Sequence, residues 1–304
     1  MSYKKILIAG SVAFDFIFTY EGLFQDHFKG QDLSNLSTCF FAPKRKKFFG
    51  GCGGNIAYTY SLFGDTPILI SAVGSDFEPD YQEWLSKHDI DLTFVKKIKD
   101  GDTACAYIVT DKKGNQLTTF YPGATIEKQD LGVDFQKFKD SLLIISPMNL
   151  ENMIELADDA SAHGIDYIFD PGQQITLFPP GIMSRIVENA YLVILNEYEY
   201  GLAKEKVNMG KAKRLIVTKG GEGSEIIEDG VHICDIPAIE PKAVLDPTGC
   251  GDAYRGGLLH GLKEGLDLAK ACEMGTLAAT YSIEKEGTQN HKFDLGGFLE
   301  RISG

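Results

Sequence analysis

Asp246-Pro247-Thr248-Gly249-Cys250-Gly251-Asp252-Ala253-Tyr254-Arg255-Gly256-Gly257 places small residues and one carboxylate where a helix should begin. The apolar run Ala243-Val244-Leu245 precedes it, and Leu258, Leu259, Leu262 and Leu266 follow at helical spacing. A helix start carries unpaired N–H groups and the positive end of the helix dipole, so it holds an anion without lysine or arginine. Gly249, Cys250 and Gly251 are therefore candidates for an anion hole. Asp252 would repel a phosphate at that spot, which makes little sense for anion binding alone. It does make sense for a general base that takes the proton from an attacking hydroxyl during phosphoryl transfer. A plain helix cap after a glycine turn is the alternative use of the same residue.

A second glycine-rich stretch, Gly50-Gly51-Cys52-Gly53-Gly54-Asn55-Ile56-Ala57, runs into another helical pattern. Gly50 and Gly51 let a sugar lie against the backbone, and the Asn55 amide offers both a donor and an acceptor to its hydroxyls. Taken alone, the stretch could equally be a turn. The two stretches together, in this order, resemble the N-terminal and C-terminal signatures of the ribokinase (PfkB) family of carbohydrate and nucleoside kinases. Cys250 departs from the small residue, such as Ala, that the family usually carries there.

The resemblance implies roles for further residues. Asp15 stands where the family places an aspartate that accepts from vicinal sugar hydroxyls, a task that suits a carboxylate because both oxygens accept. Asn196-Glu197-Tyr198-Glu199 matches an N-x-x-E motif that organises Mg²⁺ near the ATP phosphates, with Glu197 a rival to Glu199; Mg²⁺ takes oxygen ligands and keeps several waters. Thr218, Gly220, Gly221 and Gly223 resemble the nucleotide loop, and Ala278–Ile283 running into Glu286–Gln289 sits where the family lines its adenine pocket. Asp246, with the Thr248 carbonyl and backbone of 283–289, is implied as a site for a monovalent cation such as K⁺.

The elements that must position these residues are legible as seven short apolar runs: Ile6–Ala9, Ile68–Val73, Leu142–Ile145, Tyr167–Phe169, Leu192–Leu195, Leu215–Val217 and Ala243–Leu245. Continuous apolar runs, rather than alternating ones, predict parallel strands covered on both faces. Helical patterns fall at Asn55–Phe63, Asp80–His88, Leu150–His163, Met183–Asn189 and Ala253–Glu264. The expected fold is α/β, a doubly wound, mainly parallel sheet, with ligands beyond the carboxyl ends of its strands. Two stretches break this rhythm: the aromatic-rich segment from Phe14 to Phe49, and Thr103–Thr110 with Gln116–Tyr121 around the turn 111–115. They predict a small β lid (14–49 and 103–122) on a main domain of 1–13, 50–102 and 123–304.

Composition bounds the rest. A net charge of −13 disfavours nucleic acid and anionic membranes as partners. Six dispersed cysteines without C-x-x-C spacing suggest reduced thiols in the cytoplasm. No G-x-x-x-x-G-K-[ST], complete G-x-G-x-x-G or H-E-x-x-H occurs, which argues against a P-loop enzyme, a dinucleotide dehydrogenase and a zinc hydrolase. The reading is thus an ATP-dependent kinase requiring Mg²⁺, set against a non-catalytic nucleoside- or sugar-binding protein. Segments 118–124 and 169–174 resemble the adenosine and nucleoside kinase branch and favour a purine nucleoside acceptor, with ribose- or fructose-type sugars as runner-up. Phe14, Phe16, Phe120 and Tyr121 are expected to stack on a base and Gln173 to reach its edge. Lid aromatics could also pair two subunits into a homodimer.

Overall fold

In the computed structural model, which describes residues 2–30, 34 and 37–303, the chain folds as two sheets with helices. Its first half runs β1 (Lys5–Ala9), β2 (Ala13–Thr19), α1 (Phe24–Phe28), β3 (Lys44–Gly50), α2 (Cys52–Ser61), β4 (Ile68–Val73), α3 (Asp80–Lys87), β5 (Asp91–Lys97), β6 (Ala104–Thr110) and β7 (Gln116–Tyr121). The second half runs β8 (Ser141–Ile145), α4 (Leu150–His163), β9 (Asp166–Phe169), α5 (Pro180–Asn189), β10 (Leu192–Asn196), α6 (Glu197–Lys206), β11 (Arg214–Thr218), β12 (Ser224–Glu228), β13 (Val231–Ile236), α7 (Cys250–Lys263), α8 (Leu268–Ile283) and α9 (Leu295–Ser303).

The large sheet has the order β13-β12-β11-β10-β9-β8-β1-β4-β5, parallel from β11 through β5. Its strands feed two cores in alternation. Ile6 and Ile8 pack with Ile56, Tyr60, Leu258 and Leu259 on the face of α2 and α7. Leu7 and Ala9 pack with Met153, Leu156, Met183 and Ile186 on the face of α4 and α5. Strand order reverses at β1, where one branch leads to β4 and the other to β8. That crevice is where an open α/β sheet binds its ligand.

Six of the seven expected strands form. Ala243–Leu245 does not: it is an exposed connection, with Val244 at 67% and Leu245 at 63% exposure, pinned by Leu245 N–H donating to the Ile283 carbonyl at 2.8 Å. Its place at the sheet edge is taken by the antiparallel hairpin β12–β13.

The smaller sheet, ordered β3-β2-β6-β7, is built from two separate stretches, β2 and β3 after β1 and β6 and β7 after β5. Its β2 leaves β1 after three residues, and β3 passes straight into α2. Register sets its two faces. Phe48, Asp15, Ala106 and Phe120 lie opposite one another in one row, and Phe49, Phe14, Cys105 and Tyr121 form the next row on the other face. The hairpin loop 111–115 is closed by Asp111, whose carboxylate accepts from the backbone of Phe24, Lys113 and Asn115. No described helix is long and apolar enough to cross a membrane.

Candidate active site

The start of α7 is shaped by what surrounds it. Gly249 caps the helix at φ +79°, and a Cβ there would come within 2.8 Å of Thr288 Cγ2, so only glycine fits. Asp246 fastens the loop: one carboxylate oxygen accepts from Thr248 N–H at 2.9 Å, the other from Gly287 N–H at 3.0 Å. Thr288 in turn donates to the Phe49 carbonyl at 2.7 Å. Gly249 and Cys250 are half-buried and Gly251 is exposed, which leaves a face of the helix start open.

Asp252 lies in the first turn and its Oδ2 accepts from Asn55 Nδ2 at 2.8 Å. Burial pushes its carboxyl up to about 6, against the opposing pull of the Asn55 bond and the Arg255 charge. The Gly50–Asn55 turn joins this helix to the lid. A Cβ on Gly50 would sit 2.3 Å from Asp15 Oδ2, and the Tyr81 hydroxyl donates to the Gly50 carbonyl at 2.7 Å. Asp15 is pushed up to about 7, mainly by burial and then by the negative charges of Asp252 and Asp246. Asp15, Gly50, Gly51, Asn55 and Asp252 are thus brought to one place, beside the crevice where Ser11 N–H donates to the Pro147 carbonyl at 2.9 Å.

Beneath the glycine-lined start of α7 is an ion pair for which the motifs imply no role. The Arg255 guanidinium grips Asp170 in a fork, Nε to Oδ2 and Nη2 to Oδ1, both at 2.5 Å. Its Nη1 also donates to the Gly251 carbonyl at 3.0 Å, and Ser146 Oγ donates to Asp170 at 2.8 Å. Both ends are buried, Asp170 at 2% and Arg255 at 8% exposure. The available signal was an arginine one helical turn after Asp252, facing an acid just beyond a strand; nothing local pairs two residues this far apart.

On the nucleotide side, Asn196 and Thr218 stand opposite each other at the ends of β10 and β11. Gly220 and Gly223 take positive φ, and a Cβ on Gly223 would meet the Ile236 carbonyl at 2.0 Å. Gly221 is exposed between them. Asn196 and Glu199 form a reciprocal capping box: Asn196 Oδ1 accepts from Glu199 N–H at 2.8 Å, and Glu199 Oε2 from Asn196 N–H at 2.9 Å. Burial raises the Glu199 pKa, whereas Glu197 is exposed. The oxygen donors suit Mg²⁺ acting through its waters, with Glu199 Oε1 the oxygen left over by the cap.

Phe120 is exposed on the lid row of Asp15, and Gln173 is exposed in the turn following Asp170. Phe14 is a correction: at 2% exposure it packs in the core against Tyr81 and Phe49 and has no face left for a base. Phe16 is stacked on Tyr107 at 5.2 Å, on the face opposite Asp15. Among the described residues, the carboxylate and histidine groups Asp65–His260–Glu264 and Glu225–His232–Asp235 are each crossed by a lysine, Lys263 at 2.7 Å from Asp65 and Lys219 at 3.0 Å from Glu225.

The profile described as pfkB family carbohydrate kinase matches residues 4–294. A nucleoside kinase of Methanocaldococcus jannaschii is 30% identical, the match covering 98% of this chain and 97% of that one. The structure of Burkholderia thailandensis nucleoside kinase in complex with inosine superposes with a TM-score of 0.85 at 33% identity, over 98% of this chain and 97% of that chain. The crystal structure of the M. jannaschii nucleoside kinase gives 0.84 at 28% identity, over 100% and 99%.

Proposed function

The chain belongs to the pfkB family of carbohydrate kinases, and from that premise we propose that it transfers the γ-phosphoryl group of ATP to the 5′-hydroxyl of a purine nucleoside. It is a phosphotransferase with an alcohol acceptor. The observation that carries the reading is the joining of Asp15, Asn55 and Asp252 through the Gly50–Asn55 turn at a glycine-lined helix start. Both oxygens of Asp15 are suited to accept from the ribose 2′- and 3′-hydroxyls. Asp252 takes the proton of the 5′-hydroxyl as its oxygen bonds to the γ-phosphorus and the bond to the β-phosphate oxygen breaks, releasing ADP. The N–H groups of Gly249, Cys250 and Gly251 stabilise charge on the transferring group. Mg²⁺, when bound with ATP, neutralises phosphate charge near Asn196 and Glu199. A monovalent cation beside Asp246 would steady the same loop.

The purine preference is supported by Phe120, exposed on the lid row of Asp15, and by Gln173 beyond β9. Stacking of a base on an aromatic ring is worth about 1–3 kcal/mol, enough for one to two orders of magnitude in kcat/KM over free ribose. Adenosine, inosine, guanosine, cytidine, ribose and fructose 6-phosphate are to be compared under saturating ATP and Mg²⁺. A purine nucleoside is expected to lead, and a higher kcat/KM for either sugar than for every nucleoside would sink the acceptor assignment. The same assay should show kcat/KM rising as pH passes from about 6 to about 7, because Asp252 acts as base, and Asp15 accepts from both hydroxyls, only when ionised.

Chelation with EDTA should abolish turnover and Mg²⁺ restore it. Glu199→Gln should raise the metal concentration needed for half-maximal rate several-fold. An unchanged titration removes Glu199 from this role and passes it to the exposed Glu197.

A further inference from the structure

We propose that Gln289 and Trp84 are positioning residues that fix which way Asn55 faces Asp252, and thereby which oxygen of the base receives the proton. Four side chains form a chain of hydrogen bonds. Trp84 Nε1 donates to Gln289 Oε1 at 2.9 Å, Gln289 Nε2 donates to Asn55 Oδ1 at 2.9 Å, and Asn55 Nδ2 donates to Asp252 Oδ2 at 2.8 Å. Gln289 Nε2 also donates to the Tyr81 hydroxyl at 2.6 Å, whose own proton is committed to the Gly50 carbonyl. Gln289 and Asn55 are buried, at 3% and 4% exposure, so neither amide has water as a substitute partner.

The direction of the chain is set at its far end. An indole N–H only donates, so Gln289 must turn its oxygen to Trp84 and its nitrogen to Asn55 and Tyr81. Asn55 must then accept with Oδ1 and present Nδ2 to Asp252. Reversing either amide sets N–H against N–H at Trp84, or an amide oxygen against the carboxylate at Asp252. An unpaired buried polar group is costly, so the reversed arrangement stays unpopulated. Oδ2 of Asp252 is therefore kept as an acceptor, and the proton from the substrate hydroxyl goes to Oδ1.

Other groups also face Asp252: Arg255 and Cys250 on its own helix, Asp170 beyond β9, Cys52 on α2, Asp15 on β2 and Tyr81 on α3. They are the same in Trp84→Phe and Gln289→Leu, so a shift in those two variants reports the amide chain, whereas Gln289→Glu also adds a charge. The inference rests on Asp252 being the base.

The test is the pH dependence of kcat for Trp84→Phe, Gln289→Leu and Gln289→Glu, at saturating concentrations of the best nucleoside of the panel above, ATP and Mg²⁺ so that Asp15 is engaged by the sugar, beside Asp252→Asn. Freeing Asn55 to turn its donor away from the carboxylate should move the acid limb to higher pH by up to about one unit in Gln289→Leu. Gln289→Glu should move it further, because a carboxylate there draws Nδ2 of Asn55 to itself and adds a negative charge near Asp252. Trp84→Phe should move it less, since it only frees the glutamine to flip, and the KM for ATP should stay within about twofold in all three. A residue of purely structural importance would lower the rate at every pH and leave the limb in place. An unmoved limb in Trp84→Phe and Gln289→Leu, beside an inactive Asp252→Asn, overturns the proposal and leaves the base intact. Turnover by Asp252→Asn near the wild-type rate overturns both. Should the Gln289 variants fail to fold, Trp84→Phe decides alone, because its ring keeps the stacks on Phe49 and Tyr58.

Discussion

Asp252→Asn should fold, bind nucleoside and ATP, and turn over about 10²–10⁴-fold more slowly than the wild type. The amide has the shape of the carboxyl and can still present an oxygen to Asn55 Nδ2, so the bond at 2.8 Å survives. What is lost is the group proposed to receive the hydroxyl proton. Folding should not suffer. The carboxyl is already pushed up to about 6 by burial, and the nearby Asp170 charge also opposes its ionisation, so neutralising it relieves unfavourable charge. ADP release measured with melting curves and nucleoside binding checks all three parts. Near-wild-type turnover would reduce Asp252 to a helix cap and remove the mechanism.

Arg255→Met should be the most destabilising single change near the site. It leaves the Asp170 carboxylate buried at 2% exposure with only Ser146 as a side-chain donor, where removal of one partner of a buried pair costs about 3–5 kcal/mol. In a chain of this size that corresponds to a Tm lowered by roughly 10 °C. The bond from Nη1 to the Gly251 carbonyl goes too, so the anion hole loses its fixed backing and turnover falls even at temperatures where the variant is folded. Arg255→Met with Asp170→Leu should recover most of the lost Tm, because no charge is then stranded, but not the turnover. A single variant melting within about 2 °C of wild type would show that water reaches Asp170 and that the pair is not the structural support described.

What the chain disclosed in advance depended on whether its signal was local. The apolar runs of β1, β4, β8, β9, β10 and β11 are continuous because each is covered on both faces, and α4 ends at His163 as its periodicity indicates. Val244 and Leu245 show the same composition without the same partners: neither pairs with a strand, and both stay exposed. The hairpin β12–β13 carries a readable sign, Asp229-Gly230 with φ of 47° and 76°, a two-residue turn of the primed type. The helix α8 was also available, from the Asp267 cap accepting Lys270 N–H to the buried Ala271, Met274 and Ala278. Phe14 shows the opposite limit, since a ring at the root of the lid looks like any other lid aromatic until Tyr81 is seen against it. The chain Trp84–Gln289–Asn55 could not be read at all, because three segments meet only through the closure of α3 and the C-terminal loop onto α2.

The lid is attached by four short crossings at one end, 10–12 into β2, the Gly50–Gly51 step into α2, 98–103 into β6 and 122–123 out of β7, and this fixes the mechanical advantage with which it acts. Any tilt of the four-stranded sheet pivots about those crossings, so travel grows with distance along a strand at about 3.3 Å per residue. Asp15 is three residues out from Val12, a lever arm of about 10 Å, whereas Thr19 at the far end of β2 has one of about 23 Å. A tilt of about 15° would carry Asp15 roughly 2.5 Å and the tip roughly 6 Å. Phe120 shares the row of Asp15 and so shares its short arm, while Asn55 and Asp252 lie behind the pivot and stay still. A tilting sheet would therefore work as a reducing linkage: a broad swing at the rim would arrive as small, matched adjustments of Asp15 and Phe120.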